Sequence, residues 1–310
     1  MKSTVQHRHV AAALFLGVAV VFSVYISRSY AQVSVQDRPL VSLTGKRAPS
    51  DRERVVNSTA SAAGRFSAAA STNARLRGTL AWSFGKPQTG WNIYVPLIAH
   101  TIGADDAASP DSAEFAAAVA KWQAKHSLPP TGVVDADTLG AFVKFWQGQR
   151  KHGSAGDSSI VAVPVSDFWD PNRSPELLKV EQETYAAYKR MIAAAAKDLG
   201  GQLKLTKSGE LAPEEKFLRI VSAYRSPEYQ EELRKKEPGA GRIALAKTSV
   251  HFTGRALDIY VGGEPTITKD LNRMIQVQTP VYKWLVKNAH RFGFYPYFYE
   301  PWHWEYAPGR

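Results

Sequence analysis

The sequence predicts an α+β fold in which a small three-helix module precedes a larger unit built on a central antiparallel sheet flanked by helices. Three observations lead there. Apolar residues recur at helical spacing in two short segments, Phe115, Val119, Trp122 and then Leu139, Phe142, Val143, Trp146. Beyond residue 173, helix and strand patterns alternate irregularly rather than in βαβ order. The chain has 310 residues and is 44% apolar, enough to bury real cores.

Lys2, His7, Arg8 and His9 precede a largely apolar run from Val10 to Ile26, and Ser29-Tyr30-Ala31 follows with small residues at cleavage-site positions. Residues 1–31 therefore predict an export signal, or an N-terminal anchor if it stays uncleaved. Residues 32–78 are rich in Ser, Ala and Arg and have no sustained apolar periodicity, which predicts a linker. The net charge of +11 is concentrated in these two regions: residues 1–80 hold eleven basic and three acidic side chains, whereas the remaining 230 hold 28 and 25. No folded part is then strongly basic, which argues against nucleic acid as a partner and leaves contact with anionic wall polymers or membrane lipid to the arm. There are no cysteines, so thiol catalysis, disulfides and Cys-ligated metals are excluded.

Residues 79–150 read as the helical module. A first helix covers Tyr94 to Thr101, a second runs from Ser112 to His126, and a third follows Asp135 or Asp137 as its cap. Leu128-Pro-Pro-Thr-Gly132-Val-Val-Asp135 is a turn between the last two. Phe115, Val119, Trp122-Gln123, Leu128, Thr131-Gly132-Val-Val and Thr138-Leu139 together resemble the three-helix peptidoglycan-binding domain. Without that resemblance, the same residues describe a small bundle with an aromatic core.

Residues 151–172, with their Gly, Pro and Ser, predict a second linker, and residues 173–310 the second domain. In this domain the pattern predicts a long helix from Pro175 to Leu199 capped by Ser174, a buried strand over Phe217–Ser222 and a short helix over Pro227–Lys236. A strand over Ala256–Val261, a helix over Pro280–Phe292 and an aromatic strand over Phe294–Tyr306 complete it.

Two segments of this domain carry chemistry: Ser249-x-His251-x-x-Gly254-x-Ala256-x-Asp258 and Glu300-Pro-Trp302-His303. They supply two imidazoles and a carboxylate, which can hold a metal with one coordination position open, and a second carboxylate to serve as base. On a strand, Asp258 points away from Leu257 and Ile259, while His303 and Glu305 share one face and Trp302, Trp304 and Tyr306 the other. Gly254 allows the tight turn between His251 and Asp258, and Pro301 keeps Glu300 out of the strand ladder. Singly, each of these residues has a plain structural explanation, as do His100, His126, His152 and His290; the joint pattern does not.

The combination, with Ser222-Ala-Tyr224-Arg225-Ser226 and Gln230 upstream, resembles the VanY type of D-alanyl-D-alanine carboxypeptidase, within the wider group of zinc peptidases that includes the vancomycin-resistance dipeptidases, lysostaphin-like enzymes and the hedgehog fold. The resemblance spans about residues 175–310. It implies one Zn2+ held by His251, Asp258 and His303, with Glu300 as catalytic base and peptidoglycan stem peptides as substrate. Arg225 then faces the developing oxyanion or the terminal carboxylate, Ser249, Gln230 and Tyr224 contact substrate, and Trp302 walls the pocket. Gly293-Phe-Tyr-Pro-Tyr-Phe-Tyr299 departs from the family pattern by being short and lacking an arginine. That leaves endopeptidase or L,D-carboxypeptidase action open beside removal of a terminal D-Ala. The rival from another class is a non-catalytic wall-binding protein with a structural metal. The expected location is exported, periplasmic or associated with the cell wall.

Overall fold

The computed structural model describes residues 51–84, 86–104, 109–149, 159–236 and 249–309, which fall within one compact unit, Ser50–Arg310. The expected export signal and the first part of the arm lie outside the described residues. Among those described, no helix is long and apolar enough to cross a membrane.

The chain enters on α1, Asp51–Thr79, a 29-residue helix where the composition predicts a linker. Ala and Arg are strong helix formers, and no proline interrupts the segment. Its position is fixed by packing: Ala69 and Ala70 meet Ala116 in a small apolar cluster. Asn73, fully buried, donates from Nδ2 to the Gly132 carbonyl (2.9 Å) and accepts from the Val134 N–H (2.8 Å). A hairpin follows, β1 (Ala81–Phe84) against β2 (Lys86–Thr89).

The helical module is α2 (Val95–Ile102), α3 (Ala113–Lys125) and α4 (Ala136–Gly148). The Ser112 hydroxyl caps α3 by accepting from Phe115 N–H (3.1 Å), and of the two candidate acids Asp135 caps α4, accepting from Thr138 N–H (2.8 Å). The turn between them needs glycine. Gly132 has φ +75°, and a Cβ there would lie 2.6 Å from the Ala116 carbonyl oxygen. Buried Gln123 clasps the turn, accepting from Gly132 N–H (2.8 Å) and donating to Val133 O (3.0 Å) and Thr138 Oγ1 (2.8 Å).

Residues 159–172 are built into the fold rather than left as a linker. β3 (Ile160–Ala162) pairs antiparallel with β4 (Lys179–Glu181), and Val163 and Phe168 are buried. The expected long helix accordingly starts later. Pro175–Leu177 is a 3-10 turn, and α5 runs over Gln182–Leu199 with Glu181, not Ser174, as its cap, accepting from Thr184 N–H (2.8 Å) and Oγ1 (2.6 Å). Pairing of Val180 with Val161 holds the backbone extended up to that cap.

The central sheet is antiparallel, with strand order β5 (Ile220–Ser222), β6 (Ala256–Ile259), β8 (His303–Tyr306), β7 (Phe294–Pro296). The predicted single strand over 294–306 is thus a hairpin, with Tyr297–Trp302 as its connection. The register aligns Ser222 with Asp258 and Asp258 with His303, a row of polar side chains across three strands. Leu257, Ile259 and Trp304 are essentially inaccessible. Tyr282 meets Trp304 edge-on, its ring 6.2 Å away, from α8 (Pro280–Asn288). α6 (Pro227–Lys236) is as predicted. α7 (Asp270–Gln278) is not foreseen by the sequence pattern: it buries Asn272, Arg273 and Gln276 and exposes Leu271, Met274 and Ile275.

Module and sheet share a core at Phe298, which is fully buried. Its ring centroid lies 5.1 Å from Tyr94 and 5.1 Å from Trp146, the latter stacked. The module thereby grips the connection that leads into Glu300.

Candidate metal centre

His251, Asp258 and His303 come together: each offers one ligand atom, all within 4.8 Å of one another, and all three residues are buried. His251 sits on a 3-10 turn, Val250–Thr253, entered through Ser249, whose hydroxyl accepts from His251 N–H (3.3 Å). The turn closes on Gly254 at φ +68°, where a Cβ would lie 2.8 Å from the Glu181 nitrogen. The chain then enters β6, which carries Asp258, and β8 lies alongside with His303 in register.

Each imidazole is oriented by a partner on its far side. His251 Nδ1–H donates to the Ala223 carbonyl (2.6 Å), which leaves Nε2 facing Asp258 Oδ2 at 3.3 Å. His303 is turned the other way, with Nε2 against Glu305 Oε1 (3.1 Å) and Nδ1 toward Asp258 Oδ1 (2.9 Å). Metal-binding histidines are usually held this way, with the second ring nitrogen on a carbonyl or carboxylate. Glu305 and the Ala223 carbonyl are functional groups the sequence reading did not assign, although the shared strand face of His303 and Glu305 was its visible sign.

The charges agree with a cation site. Burial, followed by the nearby Arg225 charge, lowers His251 to about 4, so its Nε2 keeps a lone pair, which faces Arg225 Nη2 at 3.1 Å. Burial acts in the same direction on His303, but hydrogen bonds to Asp258 and Glu305 override it and hold the ring up at about 9. Burial opposes ionisation of Asp258, yet His251, His303 and Arg225 keep its carboxyl well below the usual carboxylate range. The residues therefore fit a divalent metal: three N/O donors of the borderline type zinc accepts, a positive charge already favoured between two carboxylates, and supporting partners in place.

Arg225 is buried beside the cluster. It donates from Nη2 to Asp258 Oδ2 (2.6 Å), from Nε to Ser222 Oγ (2.9 Å) and from Nη1 to Gln230 Oε1 (3.2 Å). Gln230 is 2% exposed and stands against Arg225. Trp302 is 3% exposed and packs in the hydrophobic core. Tyr224 is half-buried, its N–H donating to the Lys179 carbonyl (3.1 Å). Glu300, buried, sits in a tight turn in which its N–H donates to Tyr297 O (3.1 Å) and its carbonyl accepts from His303 N–H (3.0 Å). Tyr297, also not foreseen, presents its ring edge-on to His303 at 5.7 Å.

Parts of the chain are similar to known proteins. The family model of VanY D-alanyl-D-alanine carboxypeptidase matches residues 177–309, and that of a peptidoglycan binding domain matches residues 104–142. No curated protein matches the chain. Among solved structures, the LdcB LD-carboxypeptidase is 24% identical with a TM-score of 0.32, the match covering 48% of this chain and 68% of that one. The buried His-Asp-His cluster lies inside residues 177–309, the segment similar to VanY D-alanyl-D-alanine carboxypeptidase, and the segment similar to a peptidoglycan binding domain precedes it.

Proposed function

We propose that this protein is an exported, zinc-dependent peptidoglycan peptidase that hydrolyses the terminal D-Ala of stem peptides, with its helical module holding it to the wall. The observation that carries the reading is the convergence of His251, Asp258 and His303 with both imidazoles already oriented. His251, Asp258 and His303 would hold the zinc, which would supply a Lewis acid to activate water for attack.

The remaining work falls to the chain's own side chains. Glu300 accepts the proton of the attacking water and returns it to the leaving amine. Arg225 carries a fixed positive charge beside the site, where it counters negative charge developing on the scissile oxygen. Ser222 and Gln230 hold its guanidinium from behind, and Ser249 steadies the turn bearing His251. Binding to peptidoglycan through the module raises the local concentration of stem peptide, and the basic N-terminal arm adds attraction to anionic wall polymers or lipid.

Among the described residues the cluster has three members, which favours an open catalytic position over a closed structural metal. The test is mass spectrometry of zinc-loaded protein incubated with defined stem pentapeptides, tetrapeptides and cross-linked dimers. Loss of one alanine from the pentapeptide is the expected product. Cleavage confined to the tetrapeptide or to the cross-bridge reassigns the bond, and no cleavage of any of the three overturns the peptidase reading.

A further inference from the structure

The helix α7 shows its apolar side to solvent. Among the described residues, the large hydrophobic side chains that stand exposed are Val165 and three on this one helix, Leu271 (77%), Met274 (61%) and Ile275 (56%). Their spacing, i, i+3 and i+4, sets all three on the same face.

The polar side of the helix is spent on the fold. Asn272 accepts from Glu264 N–H (2.7 Å) and donates to the carbonyls of Glu264 and Ile267 (2.8 Å each). Arg273 donates to the Tyr299 carbonyl (3.1 Å) and meets the Tyr94 hydroxyl, and Gln276 donates to the Glu264 carbonyl (3.2 Å). The backbone leading in is equally fixed: Gly263 has φ +59°, and a Cβ there would lie 2.2 Å from Asn272 Oδ1. Rolling α7 to bury Leu271, Met274 and Ile275 would break these bonds and strand buried polar groups, which is costly. The apolar face is therefore held outward, and contiguous exposed apolar side chains mark interaction surfaces.

The charge beside this face narrows the partner. Met274 borders a cavity of about 660 Å³ whose lining also holds Lys283 and Lys287 of α8, both exposed, and one acid, Asp270. Arg77 lines it as well, paired with Asp111 (3.2 Å). Lys269, exposed, stands immediately before α7. Aliphatic side chains flanked by flexible ammonium groups suit an anionic bilayer, where the aliphatics enter the headgroup boundary and the lysines meet lipid phosphates. An anionic wall polymer would use the lysines and leave three aliphatics in water. A second copy meeting through the same face would bring two cationic patches together. The export signal or anchor expected over residues 1–31 brings the chain to a membrane.

We propose that α7 docks on the anionic lipid surface of a membrane, with Leu271, Met274 and Ile275 entering it and Lys269, Lys283 and Lys287 contacting headgroup phosphates.

The test uses the full chain, which contains no cysteine, so Met274→Cys accepts a single environment-sensitive fluorophore. Glu183→Cys, exposed on α5 and outside this face, carries the same fluorophore as control. Each labelled protein is titrated with vesicles of phosphatidylcholine alone and of phosphatidylcholine mixed with phosphatidylglycerol. The mixed vesicles should blue-shift the α7 reporter and brighten it about twofold or more as it leaves water. Added salt should weaken the response, and the α5 reporter should stay unchanged. Attachment through the N-terminal segment alone does not shift a reporter on α7. Lys283→Glu combined with Lys287→Glu should raise the lipid concentration required by about tenfold or more. Leu271→Ser combined with Ile275→Ser should raise it similarly, with circular dichroism showing the fold kept in both. No shift at α7, the same shift with uncharged vesicles or with polyphosphate, or a shift that grows with protein concentration in the absence of lipid would each overturn the assignment. So would substitutions without effect. Hydrolysis of stem peptides enters none of these readouts.

Discussion

Glu305 Oε1 lies 3.1 Å from His303 Nε2, two residues along the same strand, and both groups are buried. The contact fixes which imidazole nitrogen faces Asp258. Glu305→Gln keeps the volume but removes the charge, so the ring loses the partner that makes Nδ1 a good donor. We expect zinc affinity to fall by about 10- to 100-fold with the fold retained. Competition titration with a chelating indicator, alongside circular dichroism, measures both; unchanged affinity would remove Glu305 from the site.

Glu300 and His303 belong to one turn, joined by the His303 N–H to Glu300 carbonyl bond, yet their proposed tasks separate cleanly. Glu300→Ala should keep stoichiometric zinc and reduce kcat by about 10²- to 10⁴-fold, the usual contribution of a general base. His303→Ala should lose zinc and activity together. Metal analysis paired with D-Ala release distinguishes them, and an active Glu300→Ala protein would sink the base assignment.

Much of this site is legible in sequence because its rules are local. Alternation along a strand puts Asp258 opposite to Leu257 and Ile259, and His303 on one face with Glu305. Ser112, Asp135 and the Pro227 start of α6 announce their helices through cap chemistry that needs no distant partner. What escapes the sequence depends on partners far along the chain. α1 is placed by Asn73, whose bonds reach residues 59 and 61 positions away. β3 and β4 have three residues each, too few to show a period, and exist through their mutual register. α7 inverts the usual sense of a surface helix, since Asn272, Arg273 and Gln276 face inward. Trp302 and Gln230 follow the same principle: their motif positions are clear, but only the packing reveals that one fills the core and the other backs Arg225.

Phe298 joins the helical module to the sheet domain, so its truncation should be felt in both. Phe298→Ala removes a fully buried ring packed against Tyr94 and Trp146 and should cost about 3–5 kcal/mol. The same change loosens the Tyr297–Trp302 connection, so kcat should drop even where the protein is folded. Urea denaturation and D-Ala release on the same preparation read out the two effects. A loss of stability with kcat unaltered would mean the module does not support the Glu300 turn.

Asn73 tests whether α1 is an integral part of the fold. Its side chain satisfies the Gly132 carbonyl and the Val134 N–H on either side of the glycine turn, at a position fully removed from water. Asn73→Ala leaves both backbone groups without that partner in a site too tight for easy hydration, and an orphaned buried polar group costs about 1–3 kcal/mol. Asn73→Asp retains the acceptor for Val134 N–H but sets a carboxylate against the Gly132 carbonyl, so it should be no better. Both variants should unfold at lower urea, and limited proteolysis should cut within Asp51–Thr79 sooner than in the wild type. If the helix were merely a solvated arm, neither substitution would change the midpoint.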